Sequence, residues 1–86
     1  MSSYRVDFTT AAAKQIRRLD PSIRRRILAA VRLLEQDPRP AASKKLLGEQ
    51  FAWRLRVGDY RVIYDIEDDR LVITVVRAAH RREVYQ

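Results

Sequence analysis

The chain contains no cysteine, which excludes a disulfide framework and any thiolate metal site. Its single histidine, His80, leaves too few imidazoles for a conventional zinc site. The only glycines are Gly48 and Gly58, so there is no glycine-rich loop to cradle a phosphate. No serine stands in a nucleophile elbow, and no paired carboxylates mark a glycosidase-like site. No apolar run approaches the roughly 20 residues of a membrane-spanning helix, and Met1 to Tyr4 lack the charged-then-apolar pattern of a signal peptide. These absences point to a cytoplasmic protein with no metal, no cofactor and no membrane partner; a cysteine-free composition suits a reducing compartment.

What is present is positive charge. The 86 residues carry 18 Lys+Arg against 11 Asp+Glu, a net charge of +7, and the only lysines are Lys14, Lys44 and Lys45. Arginine presents a planar fork that matches phosphate oxygens two at a time. A basic, arginine-rich chain therefore points to a polyanionic partner, either nucleic acid or an acidic protein. The alternative is a solvated surface. The length allows a single domain over 1–86, which buries only about 60% of its unfolded surface.

The patterning predicts an α+β domain. Tyr4-Arg5-Val6-Asp7-Phe8 alternates as a half-buried strand does. Thr9 or Thr10 then caps a helix running to about Leu19, with Ala12, Ile16 and Leu19 on one stripe. Asp20-Pro21 reads as an N-cap followed by proline at the first helical position. A second helix carries Ile23, Ile27, Val31 and Leu34 at helical spacing and stops at Asp37-Pro38. The two helices form a hairpin, and Arg39 to Gln50 reads as a loop. Three strands follow in an antiparallel meander: Phe51 to Val57, Tyr60 to Glu67, and Arg70 to Ala78, turning at Gly58-Asp59 and Asp68-Asp69. The architecture expected is an N-terminal strand, a helical hairpin and a three-stranded meander, with the helices packed on one sheet face.

Two-residue loops in both hairpins fix a register. Val57 then faces Tyr60, Arg56 faces Arg61 and Leu55 faces Val62. In the second hairpin Ile66 faces Leu71, Tyr64 faces Ile73 and Val62 faces Val75. Side chains alternate across a strand, so one face collects Trp53, Leu55, Val57, Tyr60, Val62, Tyr64, Ile66, Leu71, Ile73 and Val75 as the core. The other collects Arg54, Arg56 and Arg61 beside Ile63, Val72, Thr74 and Val76, the apolar members partly exposed. His80 and Arg81 follow at the Arg61 end. Like charges directly opposite each other on a sheet are unfavourable, so Arg56 against Arg61 invites a phosphate between them. The alternative is that Arg56 pairs with Asp65, Asp59 or Glu83.

Arginines, one histidine and tyrosines near one face suit cleavage of RNA by its own 2′-hydroxyl. That reaction needs a base, positive charge for the phosphorane-like transition state and an acid for the leaving oxygen. The nucleophile belongs to the substrate, so no metal is required. Histidine is the usual acid or base near neutral pH, which makes His80 the candidate; its structural alternative is a residue that caps the last strand. Tyr85 either helps activate the substrate or packs at the core's edge.

The stretch Trp53-Arg54-Leu55-Arg56-Val57-Gly58-Asp59-Tyr60-Arg61-Val62-Ile63-Tyr64 resembles the central signature of the RelE family, and the ending His80-Arg81-Arg82-Glu83-Val84-Tyr85 resembles its C-terminal motif. Tyr4 to Phe8 and Lys45-Leu46-Leu47-Gly48 fit too, so the resemblance spans nearly the whole chain. Together the two longer motifs are specific to the RelE/ParE superfamily and favour its RelE branch. The resemblance implies a toxin of a type II toxin–antitoxin pair that cuts mRNA in the ribosomal A site. It also implies a cognate RelB-like antitoxin, and contact with operator DNA only through the toxin–antitoxin complex; an acidic antitoxin fits the net charge of +7. Carried over by position, Arg54 stands near the scissile phosphate, Arg61 and Arg81 stabilise transition-state charge, Tyr85 stacks on or activates the substrate, and His80 stands beside the catalytic arginine. Arg17, Arg18, Arg24, Arg25 and Arg26 on the helices, with Lys44, Lys45 and Arg56, are the candidates for docking on ribosomal RNA. Two positions depart from the family pattern. Ala52 stands where well-known members have a second lysine, and Arg54 replaces lysine with a guanidinium that hardly deprotonates. A gyrase inhibitor of the ParE kind and an inactive homologue acting only in antitoxin binding and operon autoregulation are the alternative functions.

Overall fold

The computed structural model describes residues 3–46 and 52–84. Among the described residues, eight elements run in the order β1 (Arg5–Phe8), α1 (Thr10–Arg17), α2 (Pro21–Leu33), β2 (Ser43–Lys45), β3 (Ala52–Val57), β4 (Tyr60–Glu67), β5 (Val72–His80) and α3 (Arg81–Val84). Thr9 caps α1 as its sequence position foretells: its Oγ1 accepts from the Ala12 N–H at 3.1 Å. Asp20 is the N-cap residue of α2 and Pro21 its first residue, where the missing N–H costs nothing.

The strands form one five-stranded mixed sheet in the order β1-β5-β4-β3-β2. The meander β3-β4-β5 is its antiparallel centre, but it is not the whole sheet. β1 adds to β5 in parallel, Arg5 beside Val72 through Phe8 beside Val75. β2 adds to β3, Ser43 beside Leu55 and Lys44 beside Arg54. Residues 43–45 therefore leave the loop expected over Arg39–Gln50. A three-residue strand carrying two lysines is too short and too charged to announce itself by alternation, yet it suits a sheet edge.

The first hairpin has the expected register, with Val57 opposite Tyr60 and Arg56 opposite Arg61. The second does not. Glu67 pairs with Val72 and Ile66 with Ile73, so the connection is four residues long, 68–71. Leu71 is consequently a turn residue at φ 54°, exposed, and not a core residue. A second departure follows: Tyr64 pairs with Val75 but Ile63 pairs with Arg77, leaving Val76 as an extra residue. This β-bulge reverses the facing of every later residue in β5. Arg77 moves to the arginine face and His80 comes opposite Tyr60. Thr9 supports the bulge, donating its N–H to the Val75 carbonyl at 3.0 Å and its hydroxyl to the Val76 carbonyl at 3.4 Å. Gln15 of α1 accepts from the Ala78 N–H at 2.9 Å.

The core lies between the helices and one sheet face. Ala12, Ile16, Ile27, Val31 and Leu34 meet Leu55, Val62, Tyr64, Ile66, Ile73, Val75 and Ala78. Buried Tyr64 keeps its hydroxyl satisfied by donating to the Pro38 carbonyl at 2.8 Å, and burial raises its pKa. On the opposite face Ile63 and Val72 are buried, not partly exposed as the alternation implied. Ile63 stands between Arg54 and Arg77 and Val72 between Arg5 and Glu67. Long charged side chains cover apolar neighbours with their methylene stems.

At the far end from the Gly58 turn, Arg39 forks onto Asp68 through two hydrogen bonds of 3.2 and 2.8 Å. It also lies 5.3 Å above the Trp53 ring, and Tyr4 donates its hydroxyl to the same carboxylate at 2.6 Å. The Arg39 hydrogen bond, followed by that of Tyr4, lowers the Asp68 pKa. A depressed carboxylate contributes stability above its unfolded value and loses it as pH falls through the lower folded value. Urea denaturation should therefore find Asp68→Asn less stable than the native chain at neutral pH. The difference should shrink as pH drops below about 4. Gly58, at φ 59°, occupies the first central position of its turn, where a side chain is strained. Gly58→Ala should cost about 1–2 kcal/mol, read as a lowered Tm.

Candidate functional site

The register of β2, β3, β4 and β5 assembles a basic surface on the face away from the helices. Lys44 lies beside Arg54, Arg54 beside Ile63, and Ile63 beside Arg77. One pair further along, Arg56 lies beside Arg61 and Arg61 beside Ala79. Lys44, Arg54, Arg56 and Arg61 line a cleft of about 180 Å³ with Ala41 and Ala42, and no carboxylate is among the described lining residues.

Arg61 and Arg56 face each other without an acidic residue between them, and the conflict is resolved by bending one away. Arg61 is only 8% exposed, and its Nη1 donates to the carbonyls of Gly58 and Tyr60, both at 3.0 Å. A buried charge needs such partners. The carbonyls fix the guanidinium at the cleft wall. Arg56 is exposed, and no hydrogen bond or ion pair joins its side chain to another described residue. The pairing of Arg56 with Asp65, Asp59 or Glu83, open from the sequence, is not formed.

The turn that holds Arg61 also anchors the chain's last described element. Arg81 donates its backbone N–H to the Asp59 carbonyl at 2.8 Å, and its Nε lies 4.0 Å from the Asp59 carboxylate. His80 stands on the other side of the sheet from Arg61. Its ring meets Tyr60 edge-on, centroids 5.4 Å apart, and its Nδ1 accepts from the Arg82 N–H at 3.2 Å. His80 thus caps the first turn of α3, and in the neutral ring the proton sits on Nε2.

Comparison with known proteins identifies the family. The profile of the family described as the ParE toxin of type II toxin–antitoxin system, parDE, matches residues 6–85. Toxin RelG of Mycobacterium tuberculosis is 33% identical, with 96% of this chain and 97% of RelG covered. The mRNA interferase toxin RelE of Escherichia coli K12 is 28% identical over 96% of this chain and 90% of RelE. Among solved structures, the archaeal RelE–RelB complex from Pyrococcus horikoshii matches at 32% identity and a TM-score of 0.82, covering 92% of this chain and 96% of that one. The chain belongs to the RelE/ParE superfamily of type II toxin–antitoxin toxins.

On this toxin, the structure brings together Lys44, Arg54, Arg56 and Arg61 from the residues singled out by sequence. Arg81 approaches their turn from α3. Lys45 is paired with Trp53 and so faces the helix side. Arg17, Arg18, Arg24 and Arg25 belong to the helical layer, where Arg24 donates to the Arg17 carbonyl at 3.1 Å. Arg26 differs from them, reaching down to Gly58. Tyr85 lies outside the described residues. Ala52 is buried opposite Asp65 on the basic face. Arg77, which the sequence reading did not single out, joins the face only because of the Val76 bulge; its Nη2 donates to the Glu83 carbonyl at 3.2 Å. No residue pattern in β5 marks that bulge. Replacing a helix cap by alanine costs about 1 kcal/mol, and asparagine is a good substitute. His80→Ala should therefore lower the Tm, and His80→Asn should restore most of the loss.

Proposed function

We propose that this toxin is an endoribonuclease that cuts mRNA in the ribosomal A site. The reading rests on one observation above others: a cleft walled by four cationic side chains, one of them buried and pre-set by backbone carbonyls. Attack of a ribose 2′-hydroxyl on the adjacent phosphorus builds negative charge on the phosphoryl oxygens as the 5′-oxygen leaves. A guanidinium already held in place meets that charge without reorganising. Arg61 has this role. Arg54, Lys44 and Arg56 contact the phosphate, and Arg81 closes the site from α3. Arg54 hardly exchanges protons, and His80 faces the other side of the sheet, where it holds α3. Proton transfer is assigned to Tyr85. The mRNA interferase name of the E. coli relative supports the reaction class.

The partner that restrains the toxin is an antitoxin, as in the RelE–RelB complex of the P. horikoshii relative. The net charge of +7 favours an acidic one, because complementary charge speeds encounter.

A second reading, inhibition of gyrase, has the ParE description of the matching family profile in its favour. It makes no use of the Arg61 cleft. Mapping mRNA 3′ ends after brief induction separates the two. We expect new ends inside coding regions, and an Arg61→Ala chain of unchanged Tm should produce about 100-fold fewer or less. Intact mRNA with accumulating gyrase–DNA cleavage complexes would instead establish the gyrase reading.

A further inference from the structure

Gly58 is flanked by two guanidinium groups from opposite layers of the molecule. Its carbonyl accepts from Arg61 Nη1 at 3.0 Å. On its other flank, a Cβ built on this glycine would lie 3.1 Å from Arg26 Nη2, 3.4 Å from Nη1 and 3.6 Å from Cζ. The Arg26 fork therefore lies against the bare Cα of the turn, closer than a side chain at this position would comfortably allow. Both groups touch one residue, so the two cations lie within about 10 Å of each other across the hairpin end.

Arg26 has no evident reason of its own to be there. It forms no hydrogen bond or ion pair with another described residue. Asp59, the nearest acidic neighbour in the turn, is 69% exposed and leans toward Arg81. Ordering a long arginine side chain beside another cation is unfavourable in entropy and in charge alike. An anion at the hairpin end reverses the electrostatic sign. A nucleic-acid strand supplies such anions at a regular repeat, and one phosphate held at Arg61 brings the next within reach of Arg26.

We infer that Arg26 binds the phosphate next to the scissile one, so that the RNA backbone crosses the hairpin end over Gly58, with Arg61 on one side and Arg26 on the other. The inference rests on the ribonuclease reading and adds to it a second phosphate subsite, supplied by the helical layer. It also assigns Gly58 a purpose beyond its turn: the absence of a side chain lets the α2 guanidinium close on the strand's path.

The test uses ribosomes programmed with a short mRNA carrying one uncharged methylphosphonate, placed on either side of the cleaved linkage. On unmodified mRNA, Arg26→Ala should lower kcat/KM about tenfold, the size of one lost charge-assisted contact, with Tm unchanged. Arg26→Lys should recover part of the loss. The native toxin should lose a similar factor with the methylphosphonate on one of the two sides. Arg26→Ala should show no further loss with that same substrate, because both changes remove one interaction. Full methylphosphonate sensitivity in Arg26→Ala would reduce Arg26 to a structural role and overturn the inference. Native cleavage indifferent to both modifications would also overturn it, leaving the ribonuclease reading intact. A native toxin that leaves unmodified mRNA uncut defeats the ribonuclease reading, and the subsite with it.

Discussion

β5 carries one residue more than β4 can pair, and the corner between β1 and α1 holds that surplus in place. Val76 is the extra residue. Thr9 bonds the carbonyls on either side of the bulge's start, and Gln15 takes the N–H that follows it. Because side chains alternate with period two, one inserted residue exchanges the faces of the strand beyond it. Ala79 comes to lie beside Arg61, next to the place where that guanidinium folds back onto the turn. Arg77 joins the basic face, and His80 leaves it for Tyr60. The contribution of β5 to the basic face thus depends on a hydrogen-bonded corner at the opposite layer of the domain.

The second dependence is electrostatic. A sheet face that sets Arg56 against Arg61 and Lys44 against Arg54 does not serve stability, since like charges in register repel. Backbone carbonyls at Gly58 and Tyr60 relieve part of the conflict. The sheet is tightened elsewhere. Arg39, Asp68, Tyr4 and Trp53 tie the loop after α2 to the β4–β5 turn, and the apolar layer beneath the helices is closed. Local disagreement with the rules of packing, compensated at a distance, is the usual mark of a site built for a ligand.

Much of the fold was legible because it rests on local rules. Thr9 marks the start of α1 by a capping hydrogen bond, and Pro21 marks that of α2 by its place at the first helical position, although the Asp20 side chain makes no cap bond. Gly58-Asp59 sets a two-residue turn, and from that turn the whole β3–β4 register follows, including Arg56 beside Arg61. The second hairpin was not legible. Asp68-Asp69 looks like a two-residue turn, but the loop extends to Leu71, which takes up a positive φ that leucine does not advertise. The partners of β1 and β2 were equally hidden, since a strand's alternation reveals its faces but not its neighbour. Resemblance named Arg54, Arg61 and Arg81; it could not say that His80 faces away from them.

By itself the sequence determined the charge, the starts of α1 and α2, the apolar stripe of each helix and the first hairpin. All of these depend on residues close together in the chain. Only the tertiary structure decided the mixed five-stranded order, the bulge at Val76, the entry of Arg77 into the basic face and the approach of Arg26 to Gly58. Each of those is a meeting of segments far apart in sequence, settled by which hydrogen bonds and side chains are satisfied once the layers pack, and no local pattern encodes it.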